Sequence, residues 1–216
     1  MHLTEQERHS IASRAAALER RTGTQLVAAV AGKSDSYPEA PWKAFALGAA
    51  AAAALSVLFQ LEAGDWNGGY AGIAHVLVIL SGGVIAALGT VLLSPVARLF
   101  TDATRREIEV RQHAQALFYR HRLDRTRGRV GVLLFVSRFE RRVELIADAG
   151  FDGRVDASAW AQVTDRTAFV LRHAGTAAAM RAGMDALEAL LLQSGIAGDP
   201  SGNELPDEVL DLEVAG

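Results

Sequence analysis

Four aspartates in this chain have the residue type and spacing to bind a hard cation. Asp148, Asp152 and Asp156 recur every four residues in DAGFDGRVD, with two glycines among them, and Asp35 follows an earlier apolar run. Ca²⁺ and Mg²⁺ take several oxygen ligands, which carboxylates and the carbonyls of a glycine-bearing loop can supply. The sequence therefore predicts a site for Ca²⁺ or Mg²⁺ formed by Asp148, Asp152, Asp156 and Asp35.

A second interpretation of the same aspartates needs no metal. Their spacing of four differs from the alternate-residue spacing of an EF-hand loop. Asp156 precedes a predicted helix, where a side-chain oxygen commonly accepts a hydrogen bond from the first free amides. Asp35 joins the site only if its strand lies beside the strand that ends near Asp148. Both interpretations are open from the sequence.

Other catalytic arrangements find no support, and the catalytic residues are unknown. There is no GxxxxGK[ST] loop, and Ser137 ends a predicted strand without an assigned histidine partner. His113 and His121 lie on a predicted arginine-rich helix, where we expect solvated side chains. Because the chain has no cysteine, disulfides and thiolate metal sites are excluded.

Two uncharged stretches, Ala44 to Gln60 and Tyr70 to Ala97, fill much of the first half of the chain. A helix needs roughly 20 apolar residues to cross a bilayer core. We therefore predict a transmembrane hairpin over residues 42–97, with helices at about 42–61 and 70–97. Two buried helices of a soluble protein are the alternative, which the length of the second stretch disfavours. Glycines on both stretches permit close packing within the hairpin or in a homo-oligomer.

Basic residues flank the predicted hairpin, and its connection carries none. Residues 62–69 include two acids and no base, whereas Lys43, Arg98, Arg105 and Arg106 lie outside the two spans. The positive-inside rule then puts both termini in the cytoplasm of a bacterial inner-membrane protein. The N-terminal segment has no apolar core of the kind a secretory signal needs.

The net charge of -3 hides an uneven distribution. Residues 98–142 contain twelve arginines against five acids, and the chain from Gly198 onward has six acids and no base. A basic segment beside a span is suited to anionic lipid headgroups. Aromatic interleaving and a nucleic-acid motif are missing, so we expect no nucleic acid as a partner.

Outside the hairpin, the chain has the pattern of one α/β domain with a small mixed β-sheet packed by helices. Thr4 and Glu7 form a capping-box pattern before a helix that ends near Gly23. The predicted strands cover residues 24–31, 130–137 and 142–150, and further helices cover 101–123, 157–173 and 176–193. The domain divides into 1–41 and 98–195, and residues 196–216 are predicted to be an acidic flexible tail.

The order of these segments resembles the membrane-inserted branch of the TPM domain family. The resemblance lies in RTGTQLVAAVA, a membrane hairpin, LFYRHRLDRTRGRVGVLLFVS, RRVELIADAGFDGRVDASAW and GMDALEALL. Its strongest part is Thr126 to Phe151. The resemblance implies a TPM-like α/β sandwich. Related plant proteins resemble an acid phosphatase of the thylakoid lumen, and some bacterial relatives bind divalent cations.

Two functions follow as expectations. The first is an integral membrane protein with a cytoplasmic TPM-like domain that binds a protein partner or a second copy, without assigned catalysis. The second is a divalent-cation-dependent phosphomonoesterase like the plant relative, acting through Asp148 and Asp152. We prefer the first, because no base, nucleophile or phosphate-orienting arginine can be assigned from the sequence.

Overall fold

A computed structural model describes residues 3–63, 71–195 and 209–214. The chain divides into two compact units, one of residues 1–36 with 106–216 and one of residues 37–105. The helices are α1 (Glu5–Thr22), α2 (Glu39–Ala63), α3 (Ala71–Leu92), α4 (Ser94–Leu99), α5 (Ala103–Arg120), α6 (Ala157–Ala174) and α7 (Thr176–Gln193). The strands are β1 (Gln25–Lys33), β2 (Gly131–Ser137), β3 (Arg142–Ala147) and β4 (Leu210–Val214).

The first unit contains a four-stranded mixed sheet in the order β3-β2-β1-β4. Strand β1 runs parallel to both β2 and β4, and β3 runs antiparallel to β2. Gln25 pairs with Gly131 at one end of the β1–β2 ladder, and Ala31 pairs with Ser137 at the other. The predicted class, a small mixed sheet packed by helices, is confirmed.

Apolar residues cover both faces of the central strands. Leu26, Ala28 and Val30 of β1 belong to a core that also contains buried residues of α1, α6 and α7. The residues between them belong to a second core with Val110 and Leu117 of α5. Since successive strand residues point to opposite faces, each helical layer contacts every second residue. Strand β1 is therefore buried on both of its faces.

The N-terminal helix begins and ends where its sequence predicts. The Thr4 hydroxyl accepts a hydrogen bond from the Glu7 amide at 3.2 Å, and the Glu7 carboxylate accepts one from the Thr4 amide at 2.9 Å. Gly23 ends the helix with φ of 66°, a conformation that glycine adopts without steric cost. Ile11 and Leu18 are fully buried in the first core.

The C-terminal end of the chain differs from the predicted flexible tail. Residues 210–214 form β4, and Leu210 and Leu212 pack against the second core. Asp211 accepts a hydrogen bond from the Leu3 amide at 3.2 Å and pairs with Arg138 at 3.3 Å. The acids that suggested disorder therefore alternate with core-facing leucines along an edge strand. Residues 196–208 and 215–216 lie outside the described residues.

The second unit contains α2 and α3, which pack closely on each other. A Cβ atom on Gly82 would lie 2.7 Å from Ala52 Cβ and 3.0 Å from the Gly48 carbonyl oxygen. Such distances are too short for real carbon contacts, so glycine permits this helix crossing. Small residues of the two stretches thus serve packing within the hairpin.

The second apolar stretch is divided into two helices. Helix α3 ends at Leu92, Leu93 is extended, and α4 begins at Ser94 with Pro95 in its first turn. Proline fits the first turn because the amides there need no partner within the helix. The predicted single helix over residues 70–97 is therefore too long at its C-terminal end.

Candidate functional site

Asp148 has protein partners for both of its carboxylate oxygens. It is 5% exposed, and it accepts hydrogen bonds from Arg129 Nη2 at 2.9 Å and Nε at 3.2 Å. The Ala149 amide donates a third bond to Oδ1 at 2.7 Å. The hydrogen bond to Asp148 is the main cause that raises the pKa of Arg129 above its ordinary value. The pair is a charge-assisted bidentate contact that fixes the end of β3.

The loop after Asp148 is shaped by a close backbone approach. A Cβ on Gly150 would lie 2.4 Å from the Arg129 carbonyl oxygen, so only glycine fits there. Asp152 is exposed, and its amide donates to the Ala149 carbonyl at 3.1 Å. Asp156 has the extended conformation of an N-cap residue before α6, but its side chain makes no capping hydrogen bond with the described residues. The predicted side-chain cap is therefore absent.

Asp35 lies at the opposite edge of the sheet from Asp148. It follows the carboxyl end of β1, which pairs in parallel with β2. Asp148 follows β3, which runs back, and its amide donates to the carbonyl of Gly131, the first residue of β2. The seven residues of β2 separate the two edges by about 20 Å. Asp35 was expected to join the site only if its strand lay beside the strand of Asp148, and β2 lies between them, so the structure does not bring Asp35 to the other three aspartates.

Among the described residues, no group of three or more His, Cys, Asp or Glu side chains could hold a metal ion. Asp148, Asp152 and Asp156 follow one another along the loop between β3 and α6 without forming such a group. The metal site at these three residues remains a prediction. Their oxygen chemistry suits Ca²⁺ or Mg²⁺, although Arg129 already occupies the Asp148 carboxylate.

A buried polar cluster lies at the carboxyl edge of β1 and β2. The Glu140 carboxylate accepts hydrogen bonds from the Ser34 amide at 2.9 Å and from the Ser137 hydroxyl, and the two serine hydroxyls are 3.1 Å apart. Ser34, Ser137 and Glu140 are 4%, 0% and 6% exposed. These contacts tie the end of β1 to the β2–β3 turn. We name these three residues the Ser–Glu cluster.

His113 borders the Ser–Glu cluster from α5. Its ring centroid lies 5.2 Å from that of Phe135. Burial lowers the pKa of His113, and the nearby Glu140 offsets part of that shift. Burial also lowers the pKa of His121. Both rings are therefore neutral at pH 7, and the expectation of a solvated basic side chain is wrong for His113.

A cavity of about 510 Å³ opens beside the same carboxyl edge, on the face of the sheet that α1, α6 and α7 cover. Its walls combine arginines from the β2–β3 turn and α7, one acid from α1, and apolar side chains. The lining residues used below are Leu3, Glu7, Arg138, Arg141, Leu171, Ala177 and Arg181. Open α/β sheets bind ligands at the carboxyl ends of their parallel strands, where this cavity lies.

Little in the sequence indicates a site at this carboxyl edge. Ser34, Ser137 and Glu140 are common residue types at strand ends, and residues far apart in the chain line the cavity. The adjacent arginines in SRFERR were the one available signal, since they follow a strand buried on both faces.

A mixed sheet covered by helices on both faces, with a cavity at its carboxyl edge, defines an α/β sandwich. Residues 96–190 match the model of the TPM domain. The fold is similar to the NMR structure of BA42 protein from the psychrophilic bacterium Bizionia argentinensis, with a TM-score of 0.56 and 12% identity. That similarity covers 97% of this chain and 94% of the BA42 chain. No curated protein matches the chain.

Proposed function

We propose that this chain is an integral protein of the bacterial inner membrane, in which α2 and α3 span the bilayer and the TPM domain binds partners at the cytoplasmic surface. The observation that supports the proposal best is the exposure of apolar side chains on both helices. Leu55, Ile85 and Leu92 are 67%, 70% and 76% exposed. Only 11% of the most apolar window of each helix is buried.

The lengths of the two helices support the same proposal. Helix α2 has 25 residues and α3 has 22, which correspond to about 37 and 33 Å of helix. Either length matches a hydrocarbon core of about 30 Å. Core helices of a soluble protein would bury this surface, and a soluble monomer rarely exposes so large an apolar area.

The distribution of charge supports the proposed orientation. Lys43 Nζ donates to the Phe100 carbonyl at 3.4 Å, and Arg105 pairs with Glu39 at 3.0 Å. These contacts join the start of α2 to the segment after α4, so Lys43 and Arg105 share one end of this unit. The positive-inside rule assigns that end to the cytoplasm.

Binding is preferred to catalysis because the strongest candidate carboxylate already has a structural role. Asp148 accepts hydrogen bonds from Arg129 and Ala149, and removing it would leave a tight loop without its anchor. A phosphomonoesterase remains the second hypothesis. Turnover of a generic phosphomonoester that needs Mg²⁺ or Ca²⁺ and is lost in both Asp148→Asn and Asp152→Asn would replace the binding proposal.

Single-cysteine labelling tests the proposed topology, because the natural chain has no cysteine of its own. Asn67→Cys lies in the predicted outer connection, and Arg172→Cys lies on an exposed position of α6. In spheroplasts, a membrane-impermeant maleimide should label Asn67→Cys at once and Arg172→Cys only after lysis. The reverse pattern would contradict the orientation. Labelling of both before lysis would contradict the membrane barrier between them.

A further inference from the structure

The cavity beside the carboxyl edge has an apolar wall and a basic wall, a combination that is common in small-molecule sites. Leu3, Leu171 and Ala177 are 5%, 9% and 7% exposed and give it an apolar surface. Arg141 and Arg181 approach it from the β2–β3 turn and from α7, two elements remote in sequence. Its volume of about 510 Å³ lies within the usual range for ligand pockets, roughly 300 to 1,000 Å³.

The charge around the cavity sets the charge of a suitable ligand. Arg138 is paired with Asp211 at 3.3 Å, so its charge is largely balanced. Glu7 stays ionised, because hydrogen bonds from the backbone and side chain of Thr4 lower its pKa, with a smaller contribution from Arg181. Among the described residues around the cavity, three arginines therefore face two acids, an excess of one positive charge.

We infer that this cavity binds an amphipathic organic monoanion, whose charged group contacts Arg141 and Arg181 and whose apolar body covers Leu3, Leu171 and Ala177. Guanidinium groups bind planar two-oxygen anions with paired hydrogen bonds. One excess charge matches a carboxylate or a phosphodiester better than a dianionic phosphate. A medium-chain fatty acid and the headgroup region of an anionic phospholipid share this chemistry.

The apolar wall makes the inference specific. An anion without an apolar body gains only the arginine contacts, whereas each buried methylene of an amphiphile adds about 0.8 kcal/mol. Octanoate should therefore bind more tightly than acetate, although the two carry the same charge. An octyl cation should not bind, because it would place a positive charge beside Arg141 and Arg181.

Equilibrium dialysis of radiolabelled octanoate tests the inference on the full chain in neutral phosphatidylcholine nanodiscs, with empty nanodiscs to correct for partitioning. Arg141→Asn suits the turn, because Arg141 has φ of 53° and asparagine tolerates that conformation. Arg181→Gln keeps a good helix former on α7. Arg172→Gln is the matched control, since Arg172 is an exposed arginine outside the cavity lining.

Each cavity variant should weaken octanoate binding by about tenfold, in line with the loss of one charge-assisted hydrogen bond. The control should stay within twofold, and all variants should keep the wild-type melting temperature within experimental error. Short-chain phosphatidylglycerol added as competitor separates the two sources. Stronger binding than octanoate indicates a lipid headgroup, and weaker binding indicates a free carboxylate.

Three results would overturn the inference. One is octanoate binding that Arg141→Asn with Arg181→Gln leaves unchanged in a folded protein. Another is the absence of saturable binding of both octanoate and short-chain phosphatidylglycerol to the wild-type chain. Acetate binding as tight as octanoate binding would also contradict it, because the apolar wall would then contribute nothing.

Discussion

Strand β2 of the sheet unit and helix α3 of the hairpin are both apolar and carry no Asp, Glu, Lys or Arg, yet the two units treat such residues in opposite ways. In β2, Val132, Leu133 and Leu134 are each 0% exposed. In α3, Leu77 and Ile85 are 58% and 70% exposed. The sheet unit buries these apolar residues within itself, whereas the hairpin leaves them exposed. The difference indicates that hydropathy alone identifies apolar segments, and burial decides which of them require a bilayer.

The largest expected difference comes from a matched pair of leucine truncations. Leu134→Ala should lower the free energy of unfolding of the sheet unit by about 2 to 5 kcal/mol, because it removes contacts and leaves a cavity. Leu77→Ala on the hairpin should change it by less than about 0.5 kcal/mol. Urea unfolding followed by Trp160 fluorescence, in a background with Trp42→Phe and Trp66→Phe, measures both. Equal losses would break the contrast between buried and exposed apolar residues.

A matched pair of glutamate truncations, one buried and one exposed, should give the next largest difference in the free energy of unfolding. Glu140→Ala should cost about 1.5 to 3 kcal/mol of unfolding free energy, because Ser34 and Ser137 then lose a buried acceptor. Glu107→Ala, which breaks a surface pair with Arg142, should cost less than about 1 kcal/mol. The same urea experiment compares the two. A Glu140 variant as stable as the wild type would argue against a structural role for the Ser–Glu cluster.

Within the hairpin, glycine substitutions sharpen the comparison. Gly82→Leu should separate α2 from α3 and destabilise their contact by about 1 to 3 kcal/mol, because its side chain would overlap Ala52 and Gly48. Gly72→Leu is the control, since nothing lies within 4 Å of a Cβ at that position. The measurement is the concentration of dodecyl sulfate at which the contact between α2 and α3 is lost. Similar resistance of both variants would show that close α2–α3 packing is not required.

The smallest expected effect is a pH dependence of the stability of the sheet unit. Burial lowers the pKa of His113 and of His121 in the folded chain. The unfolded chain therefore binds more protons below an ordinary histidine pKa of about 6.5, and stability should fall as pH drops from 7.5 towards 5. His113→Gln should flatten part of that slope in melting-temperature profiles. An unchanged slope would argue against neutral, half-buried His113 in the folded state.

Most of the fold could be predicted, because its segments carry local signals. Each of these signals spans only a few residues. The capping pair Thr4 and Glu7 marks the start of α1, Gly23 marks its end, and the apolar run marks β2. Strand β4 escaped prediction because Asp211 and Glu213 made an edge strand look like an acidic tail. Local sequence did not indicate the order of the strands, in which β2 lies between β1 and β3 and Asp35 is at the opposite end of the sheet from Asp148.

The candidate site could be predicted far less well. The carboxylates were chosen by residue type, and the Arg129 contact that occupies Asp148 depends on a turn nineteen residues earlier in the chain. The cavity requires Leu3, Arg138 and Arg181 to meet through tertiary packing. No periodicity or spacing in the sequence indicates that these three residues lie close together in the fold.

Accessibility of spin labels tests most directly whether the hairpin lies in a bilayer. Single cysteines at Leu58 of α2 and Leu77 of α3, both within the apolar spans, would be labelled with a nitroxide and the full chain placed in lipid vesicles. We predict frequent collisions with oxygen and few with a water-soluble nickel chelate, with the reverse ratio for a label at Arg172. Collision with the nickel chelate at Leu58 and Leu77 as frequent as at Arg172 would contradict the proposal that these helices span the membrane.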